Sequence, residues 1–220
     1  MRTIILAAGQ GFRLGGYNKL LLRNPLSGNT IIEDYIEQFK GTEITVVVGY
    51  NAVNIISNYP KLNYIFNEDW STTKDSISLS LALDERPSYV IPSDLFFKVN
   101  VRKNLDSIKE DCVLTVNNDS RTLDSFNCVI KKGVIKKIYQ GQVESPNDPQ
   151  LVDVYKISNP NTLKVWKKTC QDNPHLYVGQ NLFSNSFKLK NIDSTHLGLN
   201  IIKTPNDYIN FIKLAGLSEE

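Results

Sequence analysis

"IILAAGQGFRLGGYNK", from Ile4 to Lys19, decides how this chain is read. With Thr3, the run Ile4–Ala7 is short, continuous and apolar, the pattern of a strand buried on both faces, and Gly9 stops it. A flexible turn follows, carrying Arg13 and, six residues later, Lys19. Where such a turn leaves the first strand of a parallel sheet, its backbone N–H groups can face a phosphate chain. Three explanations of the glycines compete. A dinucleotide fingerprint, G-x-G-x-x-G, would put its third glycine at Leu14, but the chain has it one residue late, at Gly15. A Walker loop ends in G-K-[ST], whereas this turn ends "GGYNK". An ordinary strand-to-helix turn with exposed basic residues is the third, and the glycine count alone leaves it open.

Working outward, Thr30 to Phe39 repeats apolar residues at helical spacing, with Thr30 as cap and Glu33 completing a capping box. "EITVVVGY" (43–50) and "LNYIFN" (62–67) read as further strands, Ser76 to Leu83 as a short helix, and "SYVIPSD" (88–94) as a fourth strand. Alternating strand and helix predicts a doubly wound parallel sheet with ligands at the carboxyl ends of its strands. The second half differs. "DCVLTVNN" (111–118) is a strand, "SFNCVIKKGVIKKIYQG" (125–141) a hairpin turning at Lys132-Gly133, and "LVDVYKIS" (151–158) another strand. Helices are expected over Asn161–Thr169 and Asn206–Leu214. No repeat or long linker divides the chain, so residues 1–220 read as a single α/β domain.

Bulk properties narrow the function. The 220 residues are 41% apolar, enough for a substantial core without staples. A formal charge of +2 supplies no strong field for nucleic acid or anionic lipid. Only His175 and His196 are present, which disfavours histidine-led metal or triad chemistry. Cys112, Cys128 and Cys170 are an odd number without metal-ligand spacing and read as free thiols in a reducing compartment. The apolar run after Arg2 is too short for a signal peptide, and no segment approaches a membrane span of roughly 18 apolar residues. A soluble, cytoplasmic protein is expected, and a homodimer is compatible with this reading.

The whole string then separates the three explanations. "LAAGQGFRL" followed by "NKLLL" resembles the signature of the nucleotidyltransferases that join a nucleoside triphosphate to a phosphorylated acceptor. These include molybdenum-cofactor guanylyl- and cytidylyltransferases, the methylerythritol phosphate pathway cytidylyltransferase, phosphocholine cytidylyltransferases and sugar-1-phosphate nucleotidyltransferases. The resemblance implies a Rossmann-like, mostly parallel sheet of the nucleotide-diphospho-sugar transferase type, with residues 1–110 binding nucleotide, 111–220 binding acceptor, and the hairpin as an inserted acceptor-binding subregion. It implies that the Leu6-Ala7-Ala8-Gly9 backbone lines base and ribose and that the turn around Gly11 wraps the triphosphate. Arg13 would hold the β- and γ-phosphates through its fork of donors, with Lys19 a point charge at the α-phosphate.

"FNEDWSTTKDSISLSLALDERPSYVIPSDLFF" (66–97) carries a second match. Its Asn67, Asp69, Trp70, Ser76, Ser78 and Asp94 resemble a pattern in molybdopterin cytidylyltransferase-like proteins. Asp75-Ser76 also resembles a "DSV" motif whose serine contacts cytosine, which favours CTP. The resemblance gives Asp94 the role of Mg²⁺ ligand. Lys74 stays open between a triphosphate contact and a solvated side chain. Near the end, "GLNIIKTPNDYINFIKLAG" (198–216) matches the family's closing segment at Thr204, Pro205 and Asp207. Many relatives carry a second metal-binding aspartate just before it. This chain offers Lys203 or Asn200 there, so the second ligand stays open between Asn200, Asp193 and water, and Lys203 between an acceptor contact and an exposed lysine. The implied acceptor is a small phosphorylated molecule: an alcohol phosphate, a phosphonate or a sugar phosphate. The alternatives are a molybdenum-cofactor enzyme and a nucleotide binder without turnover.

Overall fold

The computed structural model describes residues 1–117, 121–185 and 187–216. In chain order the elements are β1 (Arg2–Ala7), α1 (Ile31–Gln38), β2 (Glu43–Val48), α2 (Ala52–Asn58), β3 (Asn63–Phe66), α3 (Asp75–Ala82), β4 (Ser88–Pro92), β5 (Leu95–Phe96) and α4 (Val101–Asp106). There follow β6 (Cys112–Val116), β7 (Phe126–Lys131), β8 (Val134–Gln140), β9 (Gln150–Ile157), α5 (Pro160–Asp172), α6 (Val178–Phe183), β10 (Lys190–Asp193), β11 (Asn200–Ile201) and α7 (Pro205–Gly216). Among the described residues, nine strands form one sheet in the order β3-β2-β1-β4-β9-β6-β10-β8-β7, and β5 pairs separately with β11.

The mostly parallel sheet expected from the sequence is present. β1 pairs in parallel with β2 and β4, β2 with β3, and β10 with β6. β9 is the exception that matters: it runs antiparallel between β4 and β6. The β7–β8 hairpin closes one edge, turning at Lys132 (φ 52°) and Gly133 (φ 71°). Two successive positive φ values make the two-residue turn whose twist suits a hairpin.

The central strands β1, β2, β4, β6 and β9 are largely apolar and buried because both faces of the sheet are covered there. On β1, Ile5 and Ala7 join a core layer with α1, α2, α4 and Phe211 of α7. Ile4 and Leu6 point to the opposite layer, under α3, α5 and α6. α1 begins where the sequence places it: Thr30 Oγ1 accepts from the Glu33 N–H at 3.4 Å, and Glu33 Oε2 from the Thr30 N–H at 2.7 Å. Such a reciprocal cap contributes about 1 kcal/mol. The helix expected over Asn161–Thr169 is longer, starting at Pro160 under the Asn159 side-chain cap. Asn118, the end of the strand expected over 111–118, lies outside the described residues. All three cysteines are buried and unpaired, and burial pushes each thiol up to about 12. No helix among the described residues is long and apolar enough to cross a membrane.

Candidate active site

The carboxyl ends of β1 and β4, the start of α3 and the first half of β9 enclose a cleft of about 510 Å³. Local sequence explains the shape of its cradle. Gly11 (φ 62°) and Gly15 (φ 64°) bracket a single 3-10 turn, Phe12–Leu14, which presents Arg13. A side chain at Gly11 would be strained in this left-handed conformation, and its Cβ would lie 2.8 Å from the Tyr17 carbonyl oxygen. Gly11→Ala is therefore expected to destabilise the protein by about 1–2 kcal/mol, read as a lower urea midpoint, and to weaken nucleotide binding. Lys19 opens a second 3-10 turn, Lys19–Leu21, capped by Asn18 Oδ1 on the Leu20 N–H at 3.1 Å and anchored by fully buried Leu20. The lysine backbone is thus fixed on both sides.

Lys19 Nζ lies 3.0 Å from Asp94 Oδ2, with side-chain exposures of 20% and 18%. A pair this enclosed is screened far less than a surface pair. The Asp94 carbonyl oxygen also accepts from the Ile202 N–H at 2.8 Å, tying the end of β4 to β11. Across the mouth, Arg13 is ion-paired with Asp124, both half-exposed. One cation of the cradle is therefore held at the floor of the cleft and the other at its rim.

Leu6, Gly9, Gly11, Arg13, Lys19 and Asp94, all singled out in the sequence, line this one cleft. Ala7 and Ala8 are buried behind it, where the Ala8 carbonyl accepts from the Tyr50 N–H at 2.9 Å. Trp70 packs edge-on to Tyr50, 5.2 Å between ring centroids, and its Cβ fills the space over Gly49. Two expectations are corrected. Ser76, expected against the base, is fully buried; its hydroxyl donates to the Leu176 carbonyl and accepts from Asn181 Nδ2 at 2.7 Å, which joins α3 to α6. Asn200, one of the candidates to share a metal with Asp94, lines a neighbouring cavity, and its amide donates to the Gly198 carbonyl at 3.2 Å. Asp193 likewise binds the Thr195 N–H at 2.9 Å and is absent from the cleft lining. Lys203 lines both cavities.

Sequence reading missed Asp153. β9 bulges around it: Val113 of β6 faces Tyr155, whereas Thr115 faces Leu151. Asp153 stands at φ 21° and accepts the Tyr155 hydroxyl at 2.6 Å. Withdrawal from water pushes its carboxyl up to about 6; the Asp94 charge adds to the rise, while the Tyr155 hydroxyl and Lys203 oppose it. A lone acid inside the apolar run "LVDVYKI" was the available signal, since a charge in a doubly covered strand needs a purpose. Asp75, at the start of α3, also lines the cleft and accepts the Val178 N–H at 3.2 Å. Withdrawal from water, and then Asp153, push it up to about 7. The unfolded chain, with an ordinary aspartate near about 4, releases that proton earlier, so the fold loses stability as pH climbs from about 4 to about 7. Asp75→Asn cannot ionise and keeps an acceptor for Val178. It is expected to gain on the order of 1 kcal/mol or more over the native protein at pH 8, with the difference shrinking towards pH 4, read from urea midpoints.

A divalent ion fits this donor set. Asp94 Oδ1 receives no hydrogen bond among the described residues, and a hard carboxylate oxygen suits Mg²⁺, which binds through one or two carboxylates plus substrate phosphates. No group of three or more His, Cys, Asp or Glu side chains that could hold a metal occurs among the described residues, so triphosphate oxygens would complete the shell.

A family model described as the MobA-like NTP transferase domain matches residues 3–156. The chain belongs to this family. The MobA-like match runs from β1 through Lys156 of β9 and so includes Lys19, Asp94 and Asp153. Solved structures share the fold over nearly the whole chain. The CTP:phosphocholine cytidylyltransferase of Streptococcus pneumoniae superposes with a TM-score of 0.81 at 20% identity, covering 97% of this chain and 98% of that one. The inositol-1-phosphate CTP transferase of T. maritima gives 0.72 at 15% identity, covering 97% and 95%. HddC of Yersinia pseudotuberculosis, complexed with GMP-PN, gives 0.68 at 18%, covering 97% and 98%. No curated protein sequence matches the chain.

Proposed function

We propose that this MobA-like protein transfers a cytidylyl group from CTP to a small phosphorylated acceptor, an alcohol phosphate, phosphonate or sugar phosphate, and releases pyrophosphate. The observation that carries the reading is the enclosed Lys19–Asp94 pair, 3.0 Å apart beneath the glycine cradle. It sets a cation for the α-phosphate beside a carboxylate for a metal ion. CTP is favoured by two structural neighbours whose names specify CTP. The wider setting we favour is supply of activated precursors for cell-surface glycan or lipid, in the cytoplasm where NTPs and free thiols are maintained.

The chemistry asks little proton handling of the chain. An acceptor phosphate oxygen is already anionic at neutral pH and attacks the α-phosphorus. The new P–O bond forms as the bond from the α-phosphorus to the β-bridging oxygen breaks, and that electron pair leaves on pyrophosphate. Lys19 offsets charge at the α-phosphate, Arg13 exchanges Asp124 for the β- and γ-phosphates, and the cradle N–H groups orient the tail. Asp94 would hold Mg²⁺, which neutralises charge across the phosphate oxygens when bound.

Pyrophosphate release from each of the four NTPs, with Mg²⁺ and a panel of phosphorylated acceptors, tests the reading. Release with CTP above the other nucleotides is expected. Tight CTP binding with no release for any acceptor would instead identify a nucleotide binder.

A further inference from the structure

Four carboxylates line the cleft: Asp75, Asp94, Asp124 and Asp153. Asp94 is paired with Lys19 and Asp124 with Arg13. Asp75 and Asp153 are not paired; no lysine or arginine is hydrogen-bonded to either among the described residues. Each spends Oδ1 on the protein, Asp75 on the Val178 N–H and Asp153 on the Tyr155 hydroxyl, and neither Oδ2 receives a hydrogen bond from another described residue. Gly179 of α6 permits this arrangement, because a Cβ there would lie 2.8 Å from the Tyr155 hydroxyl oxygen and 3.2 Å from Asp153 Oδ1. The two acids repel one another, and each is raised by its withdrawal from water. The wall beside them is Phe126 edge-on to Tyr177, 5.5 Å between centroids.

We propose that Asp75 and Asp153 bind a primary ammonium at the far end of the acceptor, making that acceptor a short amino-alcohol phosphate or phosphonate; this rests on the nucleotidyl-transfer reading above. Two free carboxylate oxygens accept N–H bonds, and a cation offsets their mutual repulsion, which the neutral hydroxyls of a polyol do not. A quaternary ammonium donates no hydrogen bond and is recognised by open π faces. Here the lysine ammonium of Lys74 already stands 5.1 Å from the Tyr177 ring centroid, and Trp70 is packed on Tyr50. Asp75, Asp94 and Asp153 line one cleft of about 510 Å³, so ammonium and phosphate centre share a single small cavity and the acceptor that spans them is short.

The test is pyrophosphate release from the native enzyme with CTP and Mg²⁺, comparing phosphoethanolamine with N-acetylphosphoethanolamine, phosphocholine, glycerol 3-phosphate and glucose 1-phosphate. Phosphoethanolamine is expected to exceed its N-acetyl derivative by on the order of 100-fold in kcat/KM, since acetylation removes the charge and two of the three N–H donors while adding bulk; loss of the preference in the Asp153→Asn variant separates charge from bulk. Asp153→Asn, a residue type that tolerates positive φ, is expected to erase most of that preference while leaving the KM for CTP unchanged. Asp75→Asn should act in the same direction. Equal or better use of a neutral acceptor, or a preference for phosphocholine, overturns the ammonium assignment while pyrophosphate release still upholds nucleotidyl transfer. Absence of release with every acceptor and every NTP overturns both.

Discussion

Lys19→Ala loses on the order of 10²–10³ in kcat while the protein stays folded, the loss expected when one positioned charge is removed from a transition state. Lys19 is an enclosed cation of the cleft, held 3.0 Å from Asp94 with 20% of its side chain exposed. Its backbone is fixed independently by the Asn18 cap and by Leu20, so truncating the side chain leaves the turn in place. Steady-state pyrophosphate release should show the drop mainly in kcat, because charge grows on the oxygen between the α- and β-phosphorus, beside Lys19, as the leaving bond breaks. Near-normal turnover would remove Lys19 from the chemistry.

Asp94→Asn is the companion prediction, of similar size in turnover, and it should also abolish the Mg²⁺ dependence of CTP binding measured by calorimetry. Each single variant also strands a charge. Lys19→Met leaves Asp94 without its partner, and Asp94→Asn leaves the Lys19 ammonium over a neutral amide, so both should be destabilised. The double variant Lys19→Met/Asp94→Asn replaces both ends of the pair and is expected to recover most of the native urea midpoint, because removing a whole enclosed ion pair is often close to neutral. It should remain as inactive as either single variant. Recovery of stability without recovery of activity separates the pair's structural contribution from its catalytic one. Recovery of both would assign Lys19 and Asp94 to the fold alone.

Much of the fold was legible where its signals are local. The unbroken apolar runs of β1, β2 and β4, the Thr30–Glu33 capping box and the turn at Lys132-Gly133 each lie within a few residues and are set by neighbours in sequence. α2, α4 and α6 escaped notice because six or seven residues hold too little periodicity to stand out. β10 and β11 are four and two residues long and exist only through distant partners, β6 and β5. The site divided the same way. Arg13, Lys19 and Asp94 belong to contiguous motifs, whereas Asp153 enters the cleft through a bulge that depends on β6 lying alongside. Ser76 was misassigned because a motif position carries no information about which way a helix faces; α3 turns that hydroxyl into its contact with α6.

β9 pairs with β4 on one side and β6 on the other, so a strand from late in the chain seals the flank of the first. Severed after residue 110, the amino-terminal portion would present all of that flank of β4 as an open, apolar edge, an invitation to self-association. The two portions are therefore not interchangeable cassettes. A chimaera meant to import another relative's acceptor preference has to graft β9 as well, and with it the bulge that aims Asp153.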